Sequence, residues 1–154
     1  MSTPPDRSAR QQVEEDLVRL DAYRSQLSGL VQQRQLLAAS RQDHARAQES
    51  LEGIDREDAS AEFLVPLGGE AYVRGRLDRS APVLLGVGAG VAVEMDRAKV
   101  TELLSQRLGR LDQAARELDG QIAALDERIQ LVSRRLETAS RSAEAGGDVG
   151  SAEG

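Results

Sequence analysis

From Leu104 onward, alternate steps of four and three residues land on Leu108, Leu111, Ala115, Leu118, Ile122, Leu125, Ile129, Val132 and Leu136, every one apolar. The residues between them are mostly Arg, Gln, Asp and Glu. A period of roughly 3.5 residues sustained this long predicts a helix that buries one narrow seam against another helix. Asp96 is placed to cap it, with Met95 and Val100 at the two positions of a hydrophobic staple. The spacing predicts this second coiled-coil helix over 96–140, roughly 65 Å long at about 1.5 Å per residue.

The first part of the chain, 8–57, reads as a matching but looser coiled-coil helix after a flexible N-terminal tail at 1–7. Ser8 and Gln11 are spaced as a capping box. Val13, Leu17, Leu20, Leu27 and Val31 keep heptad spacing, and then the register blurs. Arg24, Arg34 and Arg41 fall on predicted seam positions, whereas Leu30, Leu37 and Leu51 fit a shifted frame. A stutter that changes the local winding is one reading. Arg stems lying along the seam with their heads in water is another.

Between the helices the period changes to two. Phe63-Leu64-Val65-Pro66-Leu67 ends at Gly68-Gly69, and Ala71 to Leu77 follows, with Tyr72, Arg74 and Arg76 on one face. Asp78-Arg79-Ser80-Ala81-Pro82 supplies a turn. Val83 to Val87, Gly88-Ala89-Gly90 and Val91 to Met95 complete the pattern. Residues 62–95 therefore predict four short strands in two hairpins. Pro66 suits a strand end or edge, since it cannot donate a ladder hydrogen bond. The fold class is α+β: a long antiparallel helical hairpin joined by two small β-hairpins. Residues 141–154, rich in Gly, Ala, Ser and acids, read as a disordered C-terminal tail.

Composition supports thin seams over a thick core. Only Tyr23, Phe63 and Tyr72 are aromatic, and 30% of residues are charged. A formal net charge of −6 disfavours nucleic acid, which is bound by clustered cations. Lys99 is the sole lysine among 20 basic residues. The absence of cysteine rules out disulfides and thiolate metal sites and fits a reducing compartment. The start has no apolar signal region, and no apolar run is long enough to span a bilayer, so a cytoplasmic, membrane-free protein is expected.

Chemical motifs give little. Gly86-Val87-Gly88-Ala89-Gly90 lacks the GxGxxG spacing of a dinucleotide loop and is followed by a strand-like run, so a tight hairpin with glycines at positive φ is expected. His44, the only histidine, has no companion ligand and reads as a surface residue. Glu14-Glu15, Glu57-Asp58 and Asp126-Glu127 diverge around a helix axis or lie in a linker, reading as solvated face. No enzyme activity, metal or cofactor is expected.

Four short strands are a poor domain alone, because their edges and one face stay uncovered. The β segment is therefore expected to oligomerise, through Phe63, Leu64, Val65, Tyr72, Val73, Leu77, Val83, Leu85, Val87, Val91 and Val93. Folding back of the helices would bring Val13 near Leu136, and Leu51 or Ile54 near Val100.

Residues 62–96, and in particular LVPLG at 64–68, AYVRGRL at 71–77 and GVGAGVAVEM at 86–95, resemble the central segment of archaeal-type prefoldin alpha subunits. With the flanking heptad helices the resemblance covers about residues 8–140. It implies a hexamer of two alpha and four beta subunits with a double β-barrel body and six pendant coiled coils. An alpha subunit has two β-hairpins, as counted here. It also implies capture of non-native polypeptides between coiled-coil ends and delivery to a group II chaperonin without ATP use. On that reading the client-binding residues are Val13, Leu17 and Leu20 on the first helix, facing Ile129, Val132 and Leu136 on the second. Fraying of the helix ends would expose them. The competing expectation is a coiled-coil scaffold that oligomerises through its β segment and binds no client.

Overall fold

The computed structural model describes residues 5–57, 62–78 and 80–147. Residues 1–4 and 148–154 of the expected tails, together with Asp58 and Arg79, lie outside the described residues. Six elements follow one another: α1 (Pro5–Arg56), β1 (Glu62–Gly68), β2 (Ala71–Arg76), β3 (Val83–Gly88), β4 (Val91–Met95) and α2 (Arg97–Gly147). α1 begins at Pro5, where the first helical turn needs no N–H partner, so Ser8 lies inside the helix and does not cap it. α2 runs on to Gly147, past residue 140 where a tail was expected, carried by Arg141, Ala143 and Ala145 before it ends in two glycines. The Ser142 hydroxyl there donates to the Thr138 carbonyl at 3.0 Å.

The described residues divide into two compact units. One spans Leu37–Ala114 and holds all four strands. Its strands form two separate two-stranded antiparallel sheets, β1–β2 and β3–β4. The hairpins share one design. Pro66 pairs with Tyr72 and Gly68 with Ala71, and correspondingly Gly86 pairs with Ala92 and Gly88 with Val91. Each register shifts just before the turn, and the turns run through positive φ: Gly68, Gly69 and Glu70 in the first, Gly88, Ala89 and Gly90 in the second. Gly88 at φ 110° is a backbone position that a side chain would strain.

Leu51, Leu85, Val100 and Leu104 form the buried cluster of this unit, with Val83, Met95 and Leu103 packed against it. Val100 is only 1% exposed. The expected staple partners Met95 and Val100 thus meet in this cluster, and the Val100 N–H donates to the Asp96 carbonyl at 3.1 Å. The cluster fastens β3–β4 to both helices, and Arg107 adds a hydrogen bond from its guanidinium to the Gly86 carbonyl at 2.9 Å. Gln48 with Ser105, Arg41 with Asp112, and Asp55 with Arg97 pair the helices antiparallel within this unit.

The other unit comprises the described residues up to Leu36 and from Ala115 onward. It is an antiparallel helix pair, marked by Arg34 with Asp119 at 2.8 Å and Arg135 with Asp16 at 3.7 Å. Leu20, Ala115, Leu118, Leu125 and Val132 are buried in it.

The α2 heptad holds throughout: Leu104 to Leu136 in steps of four and three are all buried or half-buried. On α1 the frame positions Val13, Asp16, Leu20, Tyr23, Leu27, Leu30, Arg34, Leu37, His44, Gln48 and Leu51 are buried or half-buried, Arg41 completes the frame but is exposed, and Ser40, Ala45, Gly53 and Ile54 beside it are half-buried too. This is one continuous heptad frame that needs no stutter. Leu17, Arg24 and Val31 fall just outside it and are exposed, in correction of their assignment to the seam. Arg34 stays in the frame because its guanidinium reaches Asp119, so its stem can lie along the seam. His44 is half-buried on the seam side, with Nδ1 2.7 Å from the Ser40 carbonyl, and is not the surface residue expected.

Candidate functional site

Cross-strand partners share a face of a sheet, so the register decides what each hairpin presents. In β1–β2, Phe63 lies opposite Gly75 and Val65 opposite Val73, which makes one face wholly apolar over those positions. The Phe63 ring position is matched by a glycine, and a Cβ added to Gly75 would meet only Val65, at an ordinary 3.6 Å. The other face carries Glu62, Leu64, Pro66, Tyr72, Arg74 and Arg76. There Glu62 lies 3.5 Å from Arg74 and 3.9 Å from Arg76, all well exposed. Val65 and Val73 are each 47% exposed, and Leu64 and Tyr72 more so. The apolar face of β1–β2 is therefore only about half covered by its own chain at Val65 and Val73, with Phe63 half-buried beside them.

β3–β4 differs. Val83 opposite Met95 and Leu85 opposite Val93 share a face, but Val83, Leu85 and Met95 are drawn into the helix cluster. Their part in assembly is limited accordingly, since their surface is spent within the chain. Val87, Val91 and Val93 continue beyond the cluster and remain exposed, and so does Leu77 after β2. Leu67 and Leu84, which the residue pattern did not single out, are also exposed. The segment joining the hairpins is fixed by Asp78, whose carboxylate accepts from the Ser80 hydroxyl at 2.6 Å and the Ser80 N–H at 2.8 Å. These bonds, the hydroxyl first, hold the Asp78 carboxyl below the usual carboxylate range.

The second candidate surface is the end of the helical pair where α1 begins and α2 finishes. Leu20 and Val132 are buried in the seam, and Val13, Ile129 and Leu136 are half-buried. Leu17 does not face them. It is 52% exposed, because Asp16 occupies the seam position. Asp16 is itself only 3% exposed, with its Oδ1 3.3 Å from Arg19 and 3.7 Å from Arg135. Sequence reasoning missed this buried ion cluster. A signal was present: counting back by sevens from Leu51, Leu37 and Leu30 reaches Asp16.

Among the described residues no group of three or more His, Asp or Glu is arranged to hold a metal, and no helix is long and apolar enough to cross a membrane. What both surfaces offer is apolar contact.

The family model described as Prefoldin subunit matches residues 23–142. The prefoldin subunit alpha of Methanoculleus marisnigri is 31% identical over 101 residues, 66% of this chain and 67% of that protein. The prefoldin subunit alpha 1 of Thermococcus kodakarensis is 29% identical over 96 residues, 62% of this chain and 66% of the relative. The chain thus spans about two thirds of the length of these relatives. In fold it resembles the filamentous PFD of Methanocaldococcus jannaschii, with a TM-score of 0.63 at 21% identity, covering 75% of this chain and 95% of that one.

Proposed function

The chain belongs to the prefoldin family, and on that footing we propose that it is the alpha-type subunit of an ATP-independent holding chaperone. Two of these chains assemble with four prefoldin beta subunits through the β-hairpins. The complex binds non-native polypeptides at the helical ends and passes them to a group II chaperonin in the cytoplasm. It performs no catalysis and uses no cofactor.

The observation that supports assembly is the half-covered apolar face of β1–β2. A two-stranded hairpin is marginal alone in water, and one that leaves Val65 and Val73 about half exposed beside Phe63 needs another sheet to complete their burial. Client binding is supported by the other surface. Each Leu or Val fully buried against a client contributes about 1.5–3 kcal/mol, so one arm holds weakly and several acting together hold by avidity. Weak, multiple and reversible contacts make holding and release possible without hydrolysis.

The test is reconstitution with a prefoldin beta subunit. Native mass spectrometry is expected to give two of this chain with four partners, and the complex is expected to suppress aggregation of a chemically denatured protein without nucleotide. A homo-oligomer that leaves aggregation unchanged would replace this reading with that of a coiled-coil scaffold.

A further inference from the structure

We propose that Asp16 is a built-in weak point of the helical seam. It lets the last heptads of α1 and α2 part, baring Val13, Leu20, Val132 and Leu136 to a non-native chain. The inference rests on the client-binding reading above and names the residue that makes those positions reachable.

The difficulty it resolves is geometric. Leu20 and Val132 are buried, so a closed helix pair offers a client very little of the apolar seam. Something must favour opening at this end. Asp16 stands at a position where the frame otherwise places Tyr23, Leu30, Leu37, His44 and Leu51, and it is the one of these six that carries a carboxylate. Its carboxylate has been taken from water, and its two cation contacts are long, at 3.3 and 3.7 Å. Both Arg side chains are half-exposed and keep part of their hydration. In such a cluster the desolvation of the carboxylate opposes the Coulombic gain, and the net contribution to closure is small or unfavourable. Parting the helices rehydrates all three ions at once.

Among the described residues of α1 beyond Asp16, Val13 is the one apolar side chain in the seam, and it is half-buried. On α2 the corresponding stretch offers Leu136 and Ala139, also half-buried. Further from this end, Ala115, Leu118 and Leu125 are buried and keep the seam shut. The weakness is therefore local, which suits reversible opening of an end without unzipping of the helices.

The test uses the reconstituted complex carrying Asp16→Leu or Asp16→Asn. Asp16→Leu fills the seam and is expected to slow amide exchange around Val132 to Ala139 by about tenfold or more, as expected when an apolar residue replaces a buried ion cluster. The same variant is expected to lower client capture several-fold, although it adds apolar surface. Asp16→Asn keeps a polar group in the seam and should retain both fast exchange and capture. Unchanged exchange in Asp16→Leu overturns the proposal, and so does slowed exchange with undiminished capture. Equal loss of capture in both variants also overturns it, since the charge itself would then be what binds. Photo-crosslinkers at Val13 and Leu136 of the unsubstituted protein separate the two readings. If no client attaches there, client binding at this end fails, whereas attachment with capture unaffected by Asp16→Leu sinks the weak point alone.

Discussion

Replacing Val65 and Val73 together by Ser removes the centre of the half-covered hairpin face while leaving the helix cluster alone. The two are cross-strand partners, and each is 47% exposed within its own chain. About half of each side chain is thus left for a partner to cover. Full burial of such a side chain contributes about 1.5–3 kcal/mol, so the half still available is worth about 1 kcal/mol per residue. The pair then accounts for about 2 kcal/mol of assembly per hairpin, roughly a thirtyfold rise in dissociation constant. The assay is titration against the beta subunit, followed by sedimentation or native mass spectrometry. Helical melting of the isolated chain by circular dichroism runs alongside. Neither valine belongs to the cluster of Leu51, Leu85, Val100 and Leu104, so the helical melt should not move. A change in affinity below about threefold would refute the assignment of this face to assembly. A melt that falls in step would show that the valines support the chain's own fold instead.

The converse substitution is Leu104→Ala. Leu104 is buried in the cluster that fastens β3–β4 to the helices, so its truncation is expected to cost about 2–5 kcal/mol in urea unfolding and to speed amide exchange in β3–β4 but not in β1–β2. Ala89 sits at φ 50°, a conformation that costs an L-residue about 1–2 kcal/mol. Ala89→Gly relieves that strain but loosens the unfolded chain by about 0.4–1 kcal/mol, leaving a net gain of about 0.5 kcal/mol that local amide exchange at the turn can read. For Asp78 the folded carboxyl titrates below its ordinary value of 3.8, so the turn's added stability is complete above that value and is lost as pH falls through the lowered one. An NMR titration of the Ser80 amide should hold steady through the ordinary carboxylate range and change only below it.

The elements themselves were legible because their periods differ so sharply. Alternation from Phe63 to Met95 yielded four strands nearly to the residue, and the α2 heptad yielded its whole seam. The α1 seam was misread at Leu17, Arg24 and Val31 for one reason. Apolar residues were used to set the frame, but in this helix several seam positions are polar and are satisfied from α2. Asp112 and Asp119, spaced by one heptad like Arg34 and Arg41, carried that information as charge. The difference between the hairpins was not legible either. Both read as apolar alternations, and only the packing of Leu85 and Val83 against Leu51, Val100 and Leu104 shows which of them is fastened to the helices.

The polar seam also bears on how one helix register is selected. Arg34 and Arg41 face Asp119 and Asp112. Because Asp126 continues that series, a slip of one heptad in one direction would still give both arginines a carboxylate. Exposed pairs of this kind contribute only about 0.2–1 kcal/mol each, so they could not forbid it. Asp16 opposes it. The same slip would set it against Ser142 in place of Arg135, leaving Arg19 on its own helix as the remaining cation, so closing that register over the carboxylate becomes less favourable still. The opposite slip would keep a cation for Asp16, at Arg128, but would place Arg41 against Ser105 and pull Leu51 out of its cluster with Val100 and Leu104. The residue that weakens closure at the helical end therefore also penalises the one misalignment that the ion pairs would tolerate, which gives a reason for a carboxylate where a leucine would bind more tightly.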